Sequence, residues 1–254
     1  MRALVVGNGD DLDPGFVGHR LREHGYAFTE CHREHPDRWP DLDGIELVLT
    51  LGSEWNVYRA ATTELVESEA ALIRRVIAEA RPLIAICFGA QVLSHALGGN
   101  VTRMAGTEVG WCDVEVMASD VPAGGPWLEW HDDAFTVPEG FRELARRDAG
   151  PQLIVGCPAT RQVGETPERR GGGELGRRGE RLAREPSPRI RVVGTQFHPE
   201  ATETMVARWL GHGGAEQVRA AGGDPDELLA ATRQHTATSH TRAGDLVDWF
   251  LSSV

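Results

Sequence analysis

The sequence predicts an α/β protein with a mostly parallel sheet, helices on both faces and a smaller antiparallel strand region. Three short apolar runs, Arg2–Val6, Glu46–Leu51 and Leu83–Cys87, each end at or near a glycine, as buried parallel strands followed by loops do. Segments of helical periodicity separate these runs. A strand–helix–strand–helix order predicts parallel strands with helices packed on both sides.

Three helices are predicted before residue 100. Phe16–His24 and Ala90–Leu97 are short, and the second is closed by a pair of glycines. Thr63–Ala80 is the longest, and Thr62 or Thr63 is expected to cap its start. Its apolar residues recur at helical spacing: Leu65, Val66, Ala70, Ile73, Val76 and Ile77. Tyr26–Cys31 is predicted as a strand following the first helix.

Shorter strands are predicted after residue 100, at Val109–Met117, Ala134–Val137, Gln152–Gly156 and Arg191–Thr195. The segment Arg161–Arg191 differs from the rest, with nine arginines, five glutamates and few apolar residues. Such a composition buries little surface. We expect a flexible, solvated insertion over 161–190, and a lid or a partner-docking loop is the functional alternative.

The tail after residue 212 is predicted to be helical. Asp224 followed by Pro225 is a typical helix start. A last helix over about Thr241–Leu251 places four apolar residues on one side, and these are expected to dock on the main body: Leu246, Val247, Phe250 and Leu251. We therefore divide the chain into a main domain over 1–212 and a C-terminal helical extension over 213–254.

The composition excludes several classes of partner and of chemistry. The 254 residues carry a formal net charge of −12, which argues against a nucleic-acid or anionic membrane partner. All 26 basic residues are arginine, so chemistry that needs a lysine of this chain, such as a Schiff base or a P-loop, is excluded. Four scattered cysteines, no signal-peptide pattern and no long apolar run predict a cytoplasmic location. No cofactor and no metal site are predicted, and His19, His24, His32 and His35 have no ligand spacing.

Cys87 stands at the corner of an apolar strand, a small-residue turn and a helix, in the sequence Ile-Ala-Ile-Cys-Phe-Gly-Ala-Gln. Such a turn exposes a nucleophile at the carboxyl end of a sheet, and the helix N-terminus favours its thiolate. The N–H of Phe88 could face a developing oxyanion. A buried structural cysteine is the alternative for this segment alone.

His198 follows a second strand, and Glu200 comes two residues later. A cysteine nucleophile needs an imidazole to transfer protons, and the imidazole needs a partner that fixes its tautomer. Pro199 constrains the turn between them. The pair is therefore a candidate base and orienting carboxylate for Cys87.

Ile-Cys-Phe-Gly-Ala-Gln at 86–91 and Gly-Thr-Gln-Phe-His-Pro-Glu at 194–200 resemble the class I, or triad, glutamine amidotransferases. The resemblance implies a flavodoxin-like doubly wound fold, with Cys87 as nucleophile, His198 as general base and acid, and Glu200 as orienting carboxylate. It further implies Gly52 and Phe88 as oxyanion donors and Gln91 as a glutamine-binding residue. Trp130–Asp133 and Pro138–Gly140 resemble the hairpin that lies beside the site in that family.

The resemblance implies hydrolysis of L-glutamine, with the ammonia used by a separate synthetase partner. The loop at 52–58 departs from the family's Gly-Gly-Pro-Gly, and position 85 is Ala where Gly is usual. A γ-glutamyl hydrolase or peptidase of the same superfamily is one alternative, although Phe88 replaces the arginine typical of that branch. A catalytically silent regulatory subunit is the other. Trp111, Trp127, Trp130 and Trp209 are expected to serve packing.

Overall fold

The computed structural model describes residues 1–9, 11–156 and 191–254. The predicted insertion over 161–190 and Cys157 lie outside the described residues. The described helices are α1 (Gly15–Glu23), α2 (Thr63–Ala78), α3 (Phe88–Ala96), α4 (Glu203–Trp209), α5 (Ala215–Ala220) and α6 (Pro225–Ser253). Short 3₁₀ turns cover Pro36–Arg38 and Ala60–Thr62, and a π turn joins α4 to α5. No helix in this part of the chain combines the length and apolarity needed to cross a bilayer.

The described strands are β1 (Arg2–Gly7), β2 (Ala27–His32), β3 (Leu47–Thr50), β4 (Leu83–Ile86), β5 (Val101–Cys112), β6 (Glu115–Val116), β7 (Trp127–Phe135), β8 (Phe141–Arg147), β9 (Gly150–Gly156) and β10 (Val192–Thr195). Within the described residues, eight of them form one sheet in the order β2-β1-β3-β4-β10-β9-β8-β6. The first five are mutually parallel, and β9, β8 and β6 continue the sheet antiparallel. β5 and β7 form a separate antiparallel pair. The predicted fold class is confirmed.

Successive side chains of the parallel strands point to opposite faces of the sheet, and each face has its own apolar core. Ala3 and Val5 of β1 face one side, where they pack with α1 and α6. Leu4 and Val6 face the other side, where they pack with α2 and α3. Because both faces are buried, these strands read as continuous apolar runs. Leu246, Val247 and Phe250 of α6 belong to the first core, as their helical spacing predicted.

The structure corrects several predicted elements. β8 was not predicted, because its sequence is mostly polar and its strand conformation depends on pairing with β9. The predicted strand Val109–Met117 is divided between the end of β5 and β6, which belong to different sheets, and only the first two residues of the predicted strand Ala134–Val137 belong to β7. The tail contains one 29-residue helix, α6, rather than a separate last helix starting near Thr241. Asp224 caps it as predicted, accepting from the N–H groups of Asp226 and Glu227.

The predicted cap of α2 is wrong. Thr62 occupies the N-cap position, but its side chain accepts no hydrogen bond from the helix. The hydroxyls of Thr62 and Thr63 instead donate to the carbonyl of Arg59 at 3.2 and 3.3 Å. A 3₁₀ turn leads directly into α2, so these hydroxyls lie beside the carbonyl of the preceding turn.

Candidate active site

The carboxyl ends of β1, β3, β4 and β10 lie at one edge of the sheet, because these strands are parallel. The residues that follow them therefore meet there, as ligand sites in doubly wound folds do. Among the described residues, a cavity of about 460 Å³ at this edge is lined by Gly52, Cys87, Gln91, His198 and Glu200. Five residues singled out from the sequence are thus brought to one cavity.

Cys87 occupies the sharp turn between β4 and α3. Its φ is +51°, a left-handed conformation that is strained for a residue with a side chain. Its backbone is fixed on both sides: its N–H donates to Thr195 at 2.7 Å, and its carbonyl accepts from the Gln91 N–H at 3.0 Å. Sγ lies 3.6 Å from Gln196 Nε2. The turn places the thiol beside the N-terminus of α3, where negative charge is favoured.

His198 and Glu200 are both buried and paired. His198 Nδ1 lies 2.7 Å from Glu200 Oε1, so this nitrogen donates to the carboxylate and Nε2 remains for another partner. Burial exerts the largest effect on the pKa of His198 and lowers it. The charges of Glu200 and Cys87 more than compensate and hold that pKa well above 6.5. The imidazole is therefore kept close to both a carboxylate and a thiol.

Gly52 begins the loop after β3 and lies between the two catalytic candidates. A Cβ at this position would lie 2.9 Å from His198 Cε1 and 3.6 Å from Cys87 Cβ. Glycine is therefore needed for the close approach. Phe88 starts α3, so its N–H has no acceptor within the helix, while its side chain is buried in the core. Gly52 and Phe88 thus both lie next to Cys87.

A buried arginine donates hydrogen bonds to the backbone of the Gly52 loop. Arg33 is fully buried, and its Nε donates to Glu69 Oε2 at 2.5 Å. Its Nη2 donates to the carbonyl of Leu51 at 3.0 Å, and Nη1 donates to the carbonyl of Gly52 at 3.3 Å. The guanidinium also stacks over the Phe88 ring, 4.9 Å from its centroid. One side chain therefore connects α2, the Gly52 loop and the residue after Cys87. Sequence analysis missed it, because its partners are far apart along the chain.

Gln91 is buried on the first turn of α3. Its Nε2 donates to the carbonyl of Asp133 at 3.3 Å and to Gln196 Oε1 at 3.4 Å. Asp133 in turn accepts from Asn56 Nδ2 and from the Tyr58 hydroxyl, both at 2.7 Å. These contacts connect α3 to β7 and to the 52–58 loop, so the predicted hairpin does lie beside the cavity.

Two of the tryptophans assigned to packing, Trp130 and Trp209, pack against a small apolar cluster as expected and also line the cavity. The Trp209 ring lies 5.1 Å from the His198 ring, and its Nε1 donates to Asp11 at 2.7 Å. Trp130 meets Trp209 edge to face at 5.9 Å. Trp130 belongs to the segment that resembled the family's hairpin, whereas no local motif marks Trp209, which α4 brings to the cavity only in the fold. Trp127 is buried in the core, as expected.

Comparison with known proteins agrees with this geometry. Residues 46–154 match the family model of class-I glutamine amidotransferases. This part of the chain is therefore similar to the class-I glutamine amidotransferase domain. Solved glutamine amidotransferases share its fold. One from Thermotoga maritima superposes with a TM-score of 0.78 at 20% identity, covering 100% of this chain and 99% of that one. One from Methylobacillus flagellatus has a TM-score of 0.75 at 19% identity, covering 100% and 95%.

The chain also resembles part of larger enzymes. A glutamine-hydrolysing GMP synthase from Aquifex aeolicus is 27% identical over 133 residues, covering 50% of this chain and 20% of the synthase. One from Bdellovibrio bacteriovorus is 27% identical over 178 residues, covering 66% and 32%. The chain thus spans only about a fifth to a third of the length of these relatives.

Proposed function

We propose that this chain hydrolyses the side-chain amide of L-glutamine, with Cys87 as nucleophile, His198 as general base and acid, and Glu200 as the orienting carboxylate. The observation that carries the proposal is the strained Cys87 turn beside the paired His198 and Glu200 in one cavity. The match of residues 46–154 to the amidotransferase model supports it.

In the first half of the reaction, Cys87 Sγ adds to the amide carbon while its proton resides on His198. The developing oxyanion is stabilised by the N–H groups of Gly52 and Phe88. His198 returns the proton to the nitrogen, the C–N bond breaks, and ammonia leaves a γ-glutamyl thioester on Cys87. In the second half, His198 takes a proton from water, the hydroxide adds to the thioester, and glutamate and the free thiol form.

Two further features of the cavity fit this chemistry. Gln91 and the Asp133 segment are placed to hold the glutamyl end of the substrate, since both line the cavity close to Cys87. Trp209 packs against His198 and shields the imidazole from bulk water on that side. A dry imidazole–carboxylate pair interacts more strongly than a solvated one.

The ammonia would be consumed by a separate synthetase. The GMP synthase relatives are longer than this chain, and their similarity supports a partner of that kind without naming the acceptor. A cytoplasmic location suits such a partner and agrees with the free thiols of Cys31, Cys87 and Cys112. A synthetase that completes the 52–58 loop would raise kcat for glutamine.

A second candidate substrate is a γ-glutamyl amide of a larger, cationic amine. The cavity is wide, and its rim carries carboxylates, among them Asp13, Glu34 and Glu54. Its one arginine among the described residues, Arg208, is paired with Asp11. Such a rim favours a positively charged leaving group over an anionic one.

The test is hydrolysis by the purified chain of glutamine and of γ-glutamyl amides of diamines, with glutamate and amine or ammonia both quantified. Cys87→Ala is expected to lose all hydrolysis while keeping the melting temperature. Cys31→Ala is the matched control, because burial raises the pKa of the Cys31 thiol to about 11 and it lies outside the cavity. Hydrolysis at the wild-type rate in Cys87→Ala would refute the assignment. If the diamine amides were hydrolysed faster than glutamine, they would be assigned as the substrate instead of glutamine.

A further inference from the structure

Three side chains that could bind a metal ion converge on the β5–β7 sheet, beside the cavity that His131 helps to line. Glu108 of β5 is directly paired with His131 of β7, and Glu129 lies two residues before His131. Because side chains alternate along a strand, all three project from one face of this sheet. One ligand atom from each lies within 4.8 Å of the other two.

The distances in this cluster suit coordination better than hydrogen bonding. His131 Nε2 lies 3.2 Å from Glu108 Oε2 and 3.2 Å from Glu129 Oε2. Charge-assisted N–H···O bonds are shorter, about 2.7–2.9 Å. Among the described residues, neither oxygen of Glu129, nor Glu108 Oε2, nor His131 Nε2 has a hydrogen-bond partner, and Glu129 is fully buried. Four buried polar atoms of this cluster thus make no hydrogen bond of good geometry.

The surroundings fix the orientation of these ligands. His131 Nδ1 donates to the carbonyl of Asp133 at 3.0 Å, which directs Nε2 toward the two carboxylates. Arg147 Nε lies 3.2 Å from Glu108 Oε1, which leaves Oε2 facing His131. In metal sites, a ligating histidine usually donates its other ring N–H to a carbonyl or carboxylate. A ligating carboxylate usually accepts a hydrogen bond from a group outside the site.

Either a proton or a metal ion could lie between the imidazole and the two carboxylates. A proton on Nε2, however, points in one direction and can serve only one carboxylate well. A cation at about 2.1 Å from three tetrahedrally arranged ligands separates those ligands by about 3.4 Å, close to the two 3.2 Å distances from His131 Nε2 to the carboxylate oxygens.

We propose that Glu108, Glu129 and His131 bind one divalent transition-metal ion, with zinc as the cation that fits the donors. One imidazole nitrogen and two carboxylate oxygens are a usual zinc donor set, and three protein ligands leave a fourth position for water. The sequence contained no signal for this site, since Glu129 and His131 follow Glu108 by 21 and 23 residues and only the pairing of β5 with β7 brings them together.

The ion would join β5 to β7 directly behind Trp130. Trp130 lies between Glu129 and His131 on β7, and its carbonyl is 3.9 Å from Cys87 Sγ. The ion would therefore fix the strand that forms one wall of the cavity.

The test is zinc binding by the full chain in a Cys87→Ala/His240→Ala background. This background removes the nucleophilic thiol and the exposed pair formed by His19 Nδ1 and His240 Nε2 at 2.9 Å, both of which could bind zinc independently. After equilibration with zinc and removal of the excess, metal content, affinity from chelator competition and melting temperature with and without chelator are measured. One zinc per chain is expected, and the chelator is expected to lower the melting temperature.

Glu129→Gln in this background is expected to weaken zinc binding by at least about 10–100-fold, the loss found when even outer partners of a metal site are removed. Glu115→Gln is the matched control, because this exposed carboxylate on β6 lies outside the cluster. The absence of zinc from the background chain would overturn the proposal, whether or not Glu129→Gln folds. Equal zinc affinity in Glu129→Gln and the background would also overturn it.

Discussion

The buried pair of Arg33 and Glu69 gives the sharpest test of how the site is held. Both side chains have no exposed surface. Glu69→Gln leaves the guanidinium without a counter-charge in the interior, and loss of one partner of a buried pair costs about 3–5 kcal/mol. For a chain of this size each kcal/mol shifts the melting temperature by about 2–4 °C, so we expect a fall of roughly 6–20 °C.

The double variant Arg33→Met/Glu69→Leu separates stability from function. Apolar residues of similar volume can replace a buried ion pair with little loss of stability. The melting temperature should therefore recover most of the loss. The carbonyls of Leu51 and Gly52 would still lack their donor, so the Gly52 loop would no longer be fixed beside Cys87. We expect kcat for glutamine to stay about 100-fold below wild type, with KM changed much less.

Thermal unfolding followed by circular dichroism and steady-state glutamate release measure the two effects. Glu79→Gln is the control, because Glu79 pairs with Arg75 and Arg81 at the surface, where such pairs contribute about 0–1 kcal/mol. Equal melting temperatures for Glu69→Gln and Glu79→Gln would refute the stability argument. Full recovery of kcat in the double variant would refute the positioning role of Arg33.

Three further changes test other parts of the structure. Gly52→Ala places a methyl group 2.9 Å from His198 Cε1 and should lower kcat by about 100-fold at an unchanged melting temperature, whereas Gly106→Ala, with nothing within 4 Å of the new Cβ, should be neutral. Glu200→Gln removes the strongest influence that raises the pKa of His198, so kcat/KM should fall by about 10²–10⁴-fold. Because that pKa is raised in the folded state, the stability advantage of wild type over Glu200→Gln should be fully present below pH 6.5 and should be lost as the pH rises through the raised pKa. Phe250→Ala should destabilise the whole chain by about 3–5 kcal/mol, because this side chain is fully buried in the core shared with β1. Unfolding should remain a single transition. A separate transition for α6 would instead favour an independent C-terminal extension.

Features encoded within a few residues could be predicted from the sequence. The continuous apolar runs of β1, β3 and β4 indicated buried parallel strands, because burial on both faces removes the usual alternation. The turn at Cys87 and the His198–Glu200 spacing were visible because each is a local geometry set by neighbouring residues. Order along the chain, together with these motifs, led to the fold class and the family.

Features that depend on distant partners were decided by the tertiary structure. Arg33 reads as one arginine among 26, and only the fold places it behind the Gly52 loop with Glu69. Trp209 lies beside His198 because the end of α4 packs over the cavity, and β8 is a strand because β9 pairs with it. The physical reason is the same in each case. Local propensity reflects interactions between neighbours, whereas a buried charge, a ring contact or a mostly polar strand takes its conformation from partners that the sequence separates.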